Sequence, residues 1–252
     1  MSNLEGKDQS KDILQKITPE IKAEMESIWF TADIHHGHPK IIDICNRPVF
    51  LDQNVLAAFS LEDRNLKNKI YKELLDKAHN EWLIKEVINK WVKKRDTIFF
   101  IGDLSMAKRE EAEKFIDRLN GNKFLIEGNH DRNILHSSTR FSQITQIKDF
   151  TFSRDGLNIH IVLCHYPFVS WNRKPHGSWH VHGLPWNLYG HVHGRFRNDG
   201  LSFDVGIDNP ELLTFTGGVY RPLNLFEIVK IMEERRKFIE DEMTRSEHGI
   251  CA

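Results

Sequence analysis

Five times along this chain a short apolar run stops at a cluster of Asp, Asn or His residues. The clusters are Asp33-x-His35, Gly102-Asp103, Gly128-Asn129-His130-Asp131, a lone His165 and Gly190-His191-x-His193. Each follows a β-branched or aromatic stretch, so each is expected where a buried strand opens into a loop. Such an arrangement constrains the fold to a layered α/β chain with its site along one edge.

The segments between the clusters support this. Ile28-Trp29-Phe30-Thr31 predicts a first strand, and Lys40–Ile44, entered through Pro39, a short helix. From about Leu61 to Lys94, apolar positions such as Leu66, Ile70, Leu74, Trp82, Val87 and Trp91 fall at helical spacing. The stretch is long for a crossover and predicts two helices broken near His79-Asn80, in a helical insertion over about residues 50–94. Thr97–Ile101 predicts a strand, Lys108–Leu119 an amphipathic helix stopped by Asn120-Gly121, and Phe124-Leu125-Ile126 the next strand. Strand–helix–strand order favours parallel pairing. Further strands are expected at Ile144–Phe152, Leu157–Cys164, Trp186–Tyr189 and Ser202–Val205. A polar N-terminal extension (about 1–25) and a charged C-terminal helix (about 223–246) frame a single domain. The expected fold class is α/β (α+β), a four-layer sandwich of two facing mixed sheets flanked by helices, with a dinuclear metal site at the strand C-terminal ends.

The residue types define the chemistry. Two carboxylates, one amide and four imidazoles exceed the needs of a single tetrahedral zinc but suffice for two divalent ions sharing a carboxylate. Mixed oxygen and nitrogen ligands without thiolate suit Mn, Fe, Zn or Co. Two adjacent ions can hold the attacking and leaving oxygens of a phosphoryl group and make hydroxide available near neutral pH. Phosphoester hydrolysis is the leading reaction class.

The ordered string D-x-H, G-D, G-N-H-D, H, G-H-x-H, from about Ile28 to Asp208, resembles the calcineurin-like metallophosphoesterases. The resemblance implies Asp33, His35 and His193 on one metal, Asn129, His165 and His191 on the other, and Asp103 as the bridge. It implies Mn as the leading ion, with Fe, Zn, Co or Ni as alternatives. It also places His130 beside the metals without ligating them. A neutral imidazole there can donate a proton to the leaving oxygen, with Asp131 orienting it. On its own, Gly-Asn-His-Asp would read as a polar turn. The His165-Tyr166-Pro167 to Gly190-His191-Val192-His193-Gly194 stretch, His35-His36-Gly37-His38 and Cys45-Asn46-Arg47-Pro48 resemble a bacterial and phage subgroup of the same family. Residues around Phe50–Lys77 and Pro210–Val219 stand out as insertions relative to its compact form.

Other residues carry weaker expectations. The Tyr166–Trp186 loop is bracketed by two ligand candidates, and its Trp171, Asn172, Arg173 and Trp179 are suited to gripping a base beside a phosphate. Arg47 and Arg132 are candidates to fork onto free phosphate oxygens. His36 and His38 are expected behind the ligands or at the surface, and His160 to pack or meet solvent. His79, His136 and His248 have no evident partners in the sequence.

Composition excludes some classes. A net charge of −1 over 252 residues gives no case for wrapping long nucleic acid. Three unpaired, widely spaced cysteines fit a reducing compartment, as packing thiols. The polar first residues and the absence of a long apolar run point to a cytoplasmic protein without membrane attachment. The expected activity is a phosphodiesterase acting on a nucleotide-like or nucleic-acid-derived substrate, with a metal-bridging hydroxide as nucleophile and His130 as general acid. A phosphomonoesterase or protein phosphatase is the alternative, although Leu-Ser-Met-Ala after Asp103 stands where the family's Ser/Thr phosphatases carry Asp-Arg-Gly. A non-catalytic metal-binding module is a third reading, disfavoured because no ligand position is lost.

Overall fold

A computed structural model describes residues 13–51, 64–171, 185–196 and 200–247. It is an α/β chain with two mixed sheets. The first has the order β4-β3-β2-β1-β9, built from β1 (Ile28–Thr31), β2 (Thr97–Ile101), β3 (Asn122–Ile126), β4 (Gln143–Thr145) and β9 (Leu223–Asn224). The four strands β4 to β1 are parallel, and β9 runs antiparallel to β1. In the second sheet, of order β5-β6-β7-β8, β5 (Ile147–Arg154) is antiparallel to β6 (Leu157–Cys164), and β7 (Trp186–Tyr189) and β8 (Ser202–Asp204) continue in parallel.

The period-two geometry of a strand explains the core. Phe30, Phe99, Ile101 and Ile126 point to one face of the first sheet, where they share a hydrophobic cluster with Phe152, Ile159, Ile161, Leu163, Leu188 and Phe203 of the second. Phe30, Phe99 and Phe124 stack across β1, β2 and β3 at 5.3 and 4.9 Å. Phe150 of β5 packs edge-on against Phe30 and Phe99. The alternate residues Trp29, Ile98, Phe100 and Leu125 face the other way and pack on helices. Burial on both faces is why these strands read as unbroken apolar runs.

Helices close the layers. The crossover helix α4 (Arg109–Asp117) buries Ala112, Phe115 and Ile116, three positions on one helical face. Preceding it are α1 (Pro19–Met25), α2 (Lys40–Ile44) and α3 (Arg64–Trp82). There is no break at His79-Asn80, because α3 runs through it. The irregularity comes later, at Leu83–Ile88, where the chain widens into a π-helical turn in which the Asn89 amide donates to Ile84 O at 2.9 Å. Its Leu83, Ile84, Val87 and Ile88 are buried against the first sheet, so this part of the expected insertion is an integral layer.

Two other expectations are corrected. The N-terminal extension is not polar throughout: α1, capped by Thr18 and started by Pro19, buries Ile21 and Met25 in the central cluster. Ile144–Phe152 is two strands, β4 and β5, that belong to different sheets. Pro210–Val219 contains α5 (Pro210–Phe215), capped by Asn209, whose Leu212 lies in the central core. The last helix, α6 (Leu225–Glu247), starts at a reciprocal cap in which Asn224 Oδ1 accepts from the Glu227 amide and Glu227 Oε2 from the Asn224 amide, both at 3.0 Å. Among the described residues no helix is long and apolar enough to cross a membrane.

Candidate metal centre

The loops leaving β1, β2, β3, β6 and β7 meet at one end of both sheets. Beyond the strands, the Asp33 amide donates to Gly102 O at 3.1 Å and the His35 amide to Asp103 O at 2.9 Å, so the first two loops stay paired. Similarly, the Gly190 amide donates to His165 O at 3.0 Å. The two sheets are tied together here by Ala32, whose amide donates to Val205 O at 3.2 Å and whose carbonyl accepts from Ile207 at 3.3 Å.

Five of the sequence-predicted ligands sit in the left-handed backbone region: Asp33 (φ 57°), His35 (53°), Asp103 (52°), His191 (73°) and His193 (49°). For non-glycine residues this costs on the order of 1–3 kcal/mol each, and such strain concentrates at functional sites. The glycines beside them allow close approach. A Cβ at Gly102, itself at φ +82°, would lie 2.1 Å from His165 Nδ1. One at Gly128 would lie 2.3 Å from Asp103 Oδ1.

Among the described residues three groups of donors result, each with its atoms within 4.8 Å of one another: Asp33 with His35 and His193, Asp103 with His165 and His191, and Cys45 with His193 and Asp208. Each could hold a metal ion, the third sharing His193 with the first. Asp103 Oδ2 faces the first two, 3.9 Å from His35 Nε2 and 3.4 Å from His165 Nε2. Asn129 Oδ1 lies 3.3 Å from His165 Nε2, and His130 Nε2 lies 3.8 Å from Asp103 Oδ2. His165 Nδ1 bonds to Ile101 O at 2.9 Å, which leaves Nε2 facing the carboxylate. Asp33 and His165 are fully buried, whereas Asn129 and His191 are exposed and His130 is half-buried. The centre is therefore open on the Asn129, His130 and His191 side.

Burial pushes the Asp33 carboxyl well up, and pushes His35 down to about 3. Burial also works against ionised Asp103, but the hydrogen bond and charge of His165 outweigh it and hold the carboxylate at about 2. For His193, burial is overcome by Asp208, Cys45 and Asp33, and the ring is raised to about 10. Buried His35 Nδ1 has no hydrogen-bond partner, and His35 Nε2 faces His193 Nε2 at 3.3 Å. Carboxylate oxygens and imidazole nitrogens turned inward onto glycine-lined space fit a divalent ion of the Mn, Fe, Zn or Co type.

Several residues have roles the sequence did not reveal. Arg47 cannot hold a substrate phosphate: it is 2% exposed and all five N–H donors are used. They go to Asp208 (3.0 and 2.7 Å), Ile34 O (2.7 Å), Asp33 O (2.6 Å) and His79 Nε2 (2.9 Å). Asp208 Oδ2 in turn accepts from His193 Nδ1 at 3.0 Å. Asp131 does not orient the His130 ring, since its oxygens accept from the amides of Leu104 (2.9 Å), Ser105 (3.4 Å) and Gly128 (3.0 Å), pinning two ligand loops together. Asp204 does the same for the last loop through the Gly194 and Gly206 amides, both at 2.8 Å. Cys45 is no packing thiol, for its Sγ lies 3.6 Å from His193 Nδ1. The spacing Asp204-x-Gly206-x-Asp208 is the sequence signal that could have marked this loop.

Of the remaining histidines, His36 is buried, stacked on Phe115 at 4.1 Å and bonded to Ser105 Oγ at 2.9 Å. His79 does have a partner, Arg47. In the expected recognition loop, residues 172–184, including Asn172, Arg173 and Trp179, lie outside the described residues. Trp171 is buried and donates from Nε1 to Pro185 O at 2.8 Å, so it is scaffold and not a stacking surface. Tyr166 instead borders the mouth. It is 44% exposed, and its ring stands edge-on to His191 at 4.8 Å and His165 at 5.1 Å.

No family model matches the chain. It is 28% identical over 167 residues to an uncharacterised protein of Methanocaldococcus jannaschii, covering 60% of this chain and 79% of that one. It is 25% identical over 215 residues to the Gene 66 protein of Mycobacterium phage L5, covering 73% and 87%. A crystal structure of a protein of unknown function from Aquifex aeolicus aligns over 81% of this chain and 98% of its own, at 18% identity and a TM-score of 0.47. The chain is thus similar, over much of its length, to one archaeal and one phage protein.

Proposed function

We propose that this chain is a two-metal phosphoesterase of the calcineurin-like kind, acting as a phosphodiesterase on a nucleotide-like or nucleic-acid-derived substrate. The observation that carries this reading is the position of Asp103, whose Oδ2 faces the Asp33–His35–His193 group and the His165–His191 group at once. On this reading Asp33, His35 and His193 hold one ion, Asn129, His165 and His191 the other, and Asp103 both, within a four-layer sandwich. Two such ions, if bound, would polarise a phosphoryl oxygen and lower the pKa of a bound water. The chain's own groups supply the rest. His130, half-buried at the open side, delivers a proton to the leaving oxygen. Asp131 fixes the backbone that carries His130 by tying Gly128 to Leu104. His165 Nδ1, bound to Ile101 O, keeps its ring from turning away.

The test is metal-free protein reconstituted with Mn, Zn, Fe or Mg and assayed on a diester and a monoester of one chromophore. The expected result is two ions per chain and diester hydrolysis. Inactivity with every metal, despite metal uptake, would instead favour a binding module, and faster monoester cleavage a phosphomonoesterase.

A further inference from the structure

Arg47 occupies an unusual place. A buried guanidinium is costly unless its charge and all its donors are matched, and here each is. Two donors fork onto the Asp208 carboxylate, two reach the carbonyls of Asp33 and Ile34, and one meets His79 Nε2. The carbonyls belong to the turn that carries Asp33 and His35, both in the left-handed region. The carboxylate belongs to the loop before α5 and holds His193 through Nδ1. One side chain therefore contacts the support of all three donors of a single group: the backbone of Asp33, the turn leading to His35, and the hydrogen-bond partner of His193. Burial in place of solvent exposure means that this arrangement serves the interior of the protein and not a substrate.

We infer that Arg47 and Asp208 form one positioning unit for the Asp33–His35–His193 group. Arg47 holds the strained turn that aims His35, and Asp208 fixes the rotation of the His193 ring so that Nε2 and not Nδ1 faces the centre. The inference rests on the metal-site reading above. Neither residue touches the Asp103–His165–His191 group in this network, so the unit acts on one half of the site.

The experiment adds Co(II) to the metal-free full chain and follows uptake and the visible ligand-field spectrum. Two double variants are compared with the parent. Arg47→Met with Asp208→Leu removes both charges, a change that a buried ion pair often tolerates. Arg47→Gln with Asp208→Asn keeps an oxygen that accepts from His193 Nδ1. The apolar pair is expected to weaken one of two cobalt ions by about 10–100-fold, with the other ion and its bands unchanged. The amide pair is expected to recover much of that loss. Should the apolar pair fail to fold, Arg47→Lys takes its place, since an ammonium cannot serve the carboxylate fork and both carbonyls together, and the same loss of one ion is expected. If every folded variant takes up two ions as the parent does, the positioning role is wrong while the two-metal reading stands. If the parent itself takes up no cobalt, both fall.

Discussion

The Nε2 atoms of His35 and His193 stand 3.3 Å apart, with their rings nearly parallel at 5.2 Å. Two imidazole lone pairs cannot face each other at that distance without a proton or a cation between them. In the metal-free protein the proton belongs to His193, raised to about 10, while burial keeps His35 at about 3. His193 therefore favours the metal-free fold below its unfolded value near 6.5, and that contribution disappears as pH rises through about 10. A metal ion must displace this proton, and also the proton that burial favours on Asp33. Affinity for Mn should rise by about tenfold per pH unit across pH 6 to 8 from the His193 proton, with a further rise from the Asp33 proton that fades above about pH 7. Titrations at pH 6, 7 and 8 check this. A flat profile would show that the pair is not part of a metal site.

His130 stands half in solvent with Nε2 3.8 Å from Asp103 Oδ2, and its backbone amide donates to Asp103 Oδ1 at 3.0 Å. The amide bond survives any side-chain change, so His130→Ala should keep both ions and the melting temperature. Its rate should fall by roughly 10²–10⁴-fold, the range of general acid catalysis. The loss should shrink for esters whose leaving groups need no proton. If an ion is lost as well, His130 is a ligand and not the acid.

That the Asp, Asn and His clusters converge was legible because strand tips are local: an apolar run followed by Asp, Asn or His marks both the strand and the loop it feeds. What supports the ligands was not. Arg47 and Asp208 are 161 residues apart, and nothing in either neighbourhood predicts that they meet. Arg47 in a turn near a ligand motif reads equally as a phosphate fork or as a buried clamp, and only burial decides. The same holds for Trp171 and Tyr166, since an aromatic residue in a loop does not announce which way it faces. Ile144–Phe152 misleads for another reason. Apolar content marks strand, but no local pattern records that the chain changes sheets between Thr145 and Ile147.

Gly102 is the tightest backbone position in the centre. Gly102→Ala adds both left-handed strain, at φ +82°, and a Cβ 2.1 Å from His165 Nδ1. The ring would have to leave Ile101 O, so the variant should lose stability by several kcal/mol and fail to hold its full metal complement. Gly217→Ala separates the causes, because Gly217 has φ +68° with nothing within 4 Å of the added atom. It should cost only the strain, about 1–3 kcal/mol, and keep both ions. Equal melting temperatures and metal contents for the two variants would refute the close-approach argument.

Trp171 and Tyr166 divide what the sequence assigned to one loop. Trp171 is buried, with its indole N–H bonded to Pro185 O at 2.8 Å. Trp171→Ala should lower stability by about 3–5 kcal/mol, as large-to-small core changes do, and reduce activity on a nucleotide-like diester and a small chromogenic ester alike. Tyr166 is 44% exposed beside His191, at the open side of the centre. Tyr166→Ala should leave the melting temperature nearly unchanged and raise KM for the nucleotide-like diester by roughly an order of magnitude, since stacking on an aromatic ring is worth about 1–3 kcal/mol per base. The small ester, which has no base to stack, should be cleaved as by the parent. Melting curves and KM for both substrates on both variants decide the matter. A Tyr166→Ala protein with unchanged KM for both would remove the ring from substrate recognition and leave the open side to be read by Asn129, His130 and residues beyond those described.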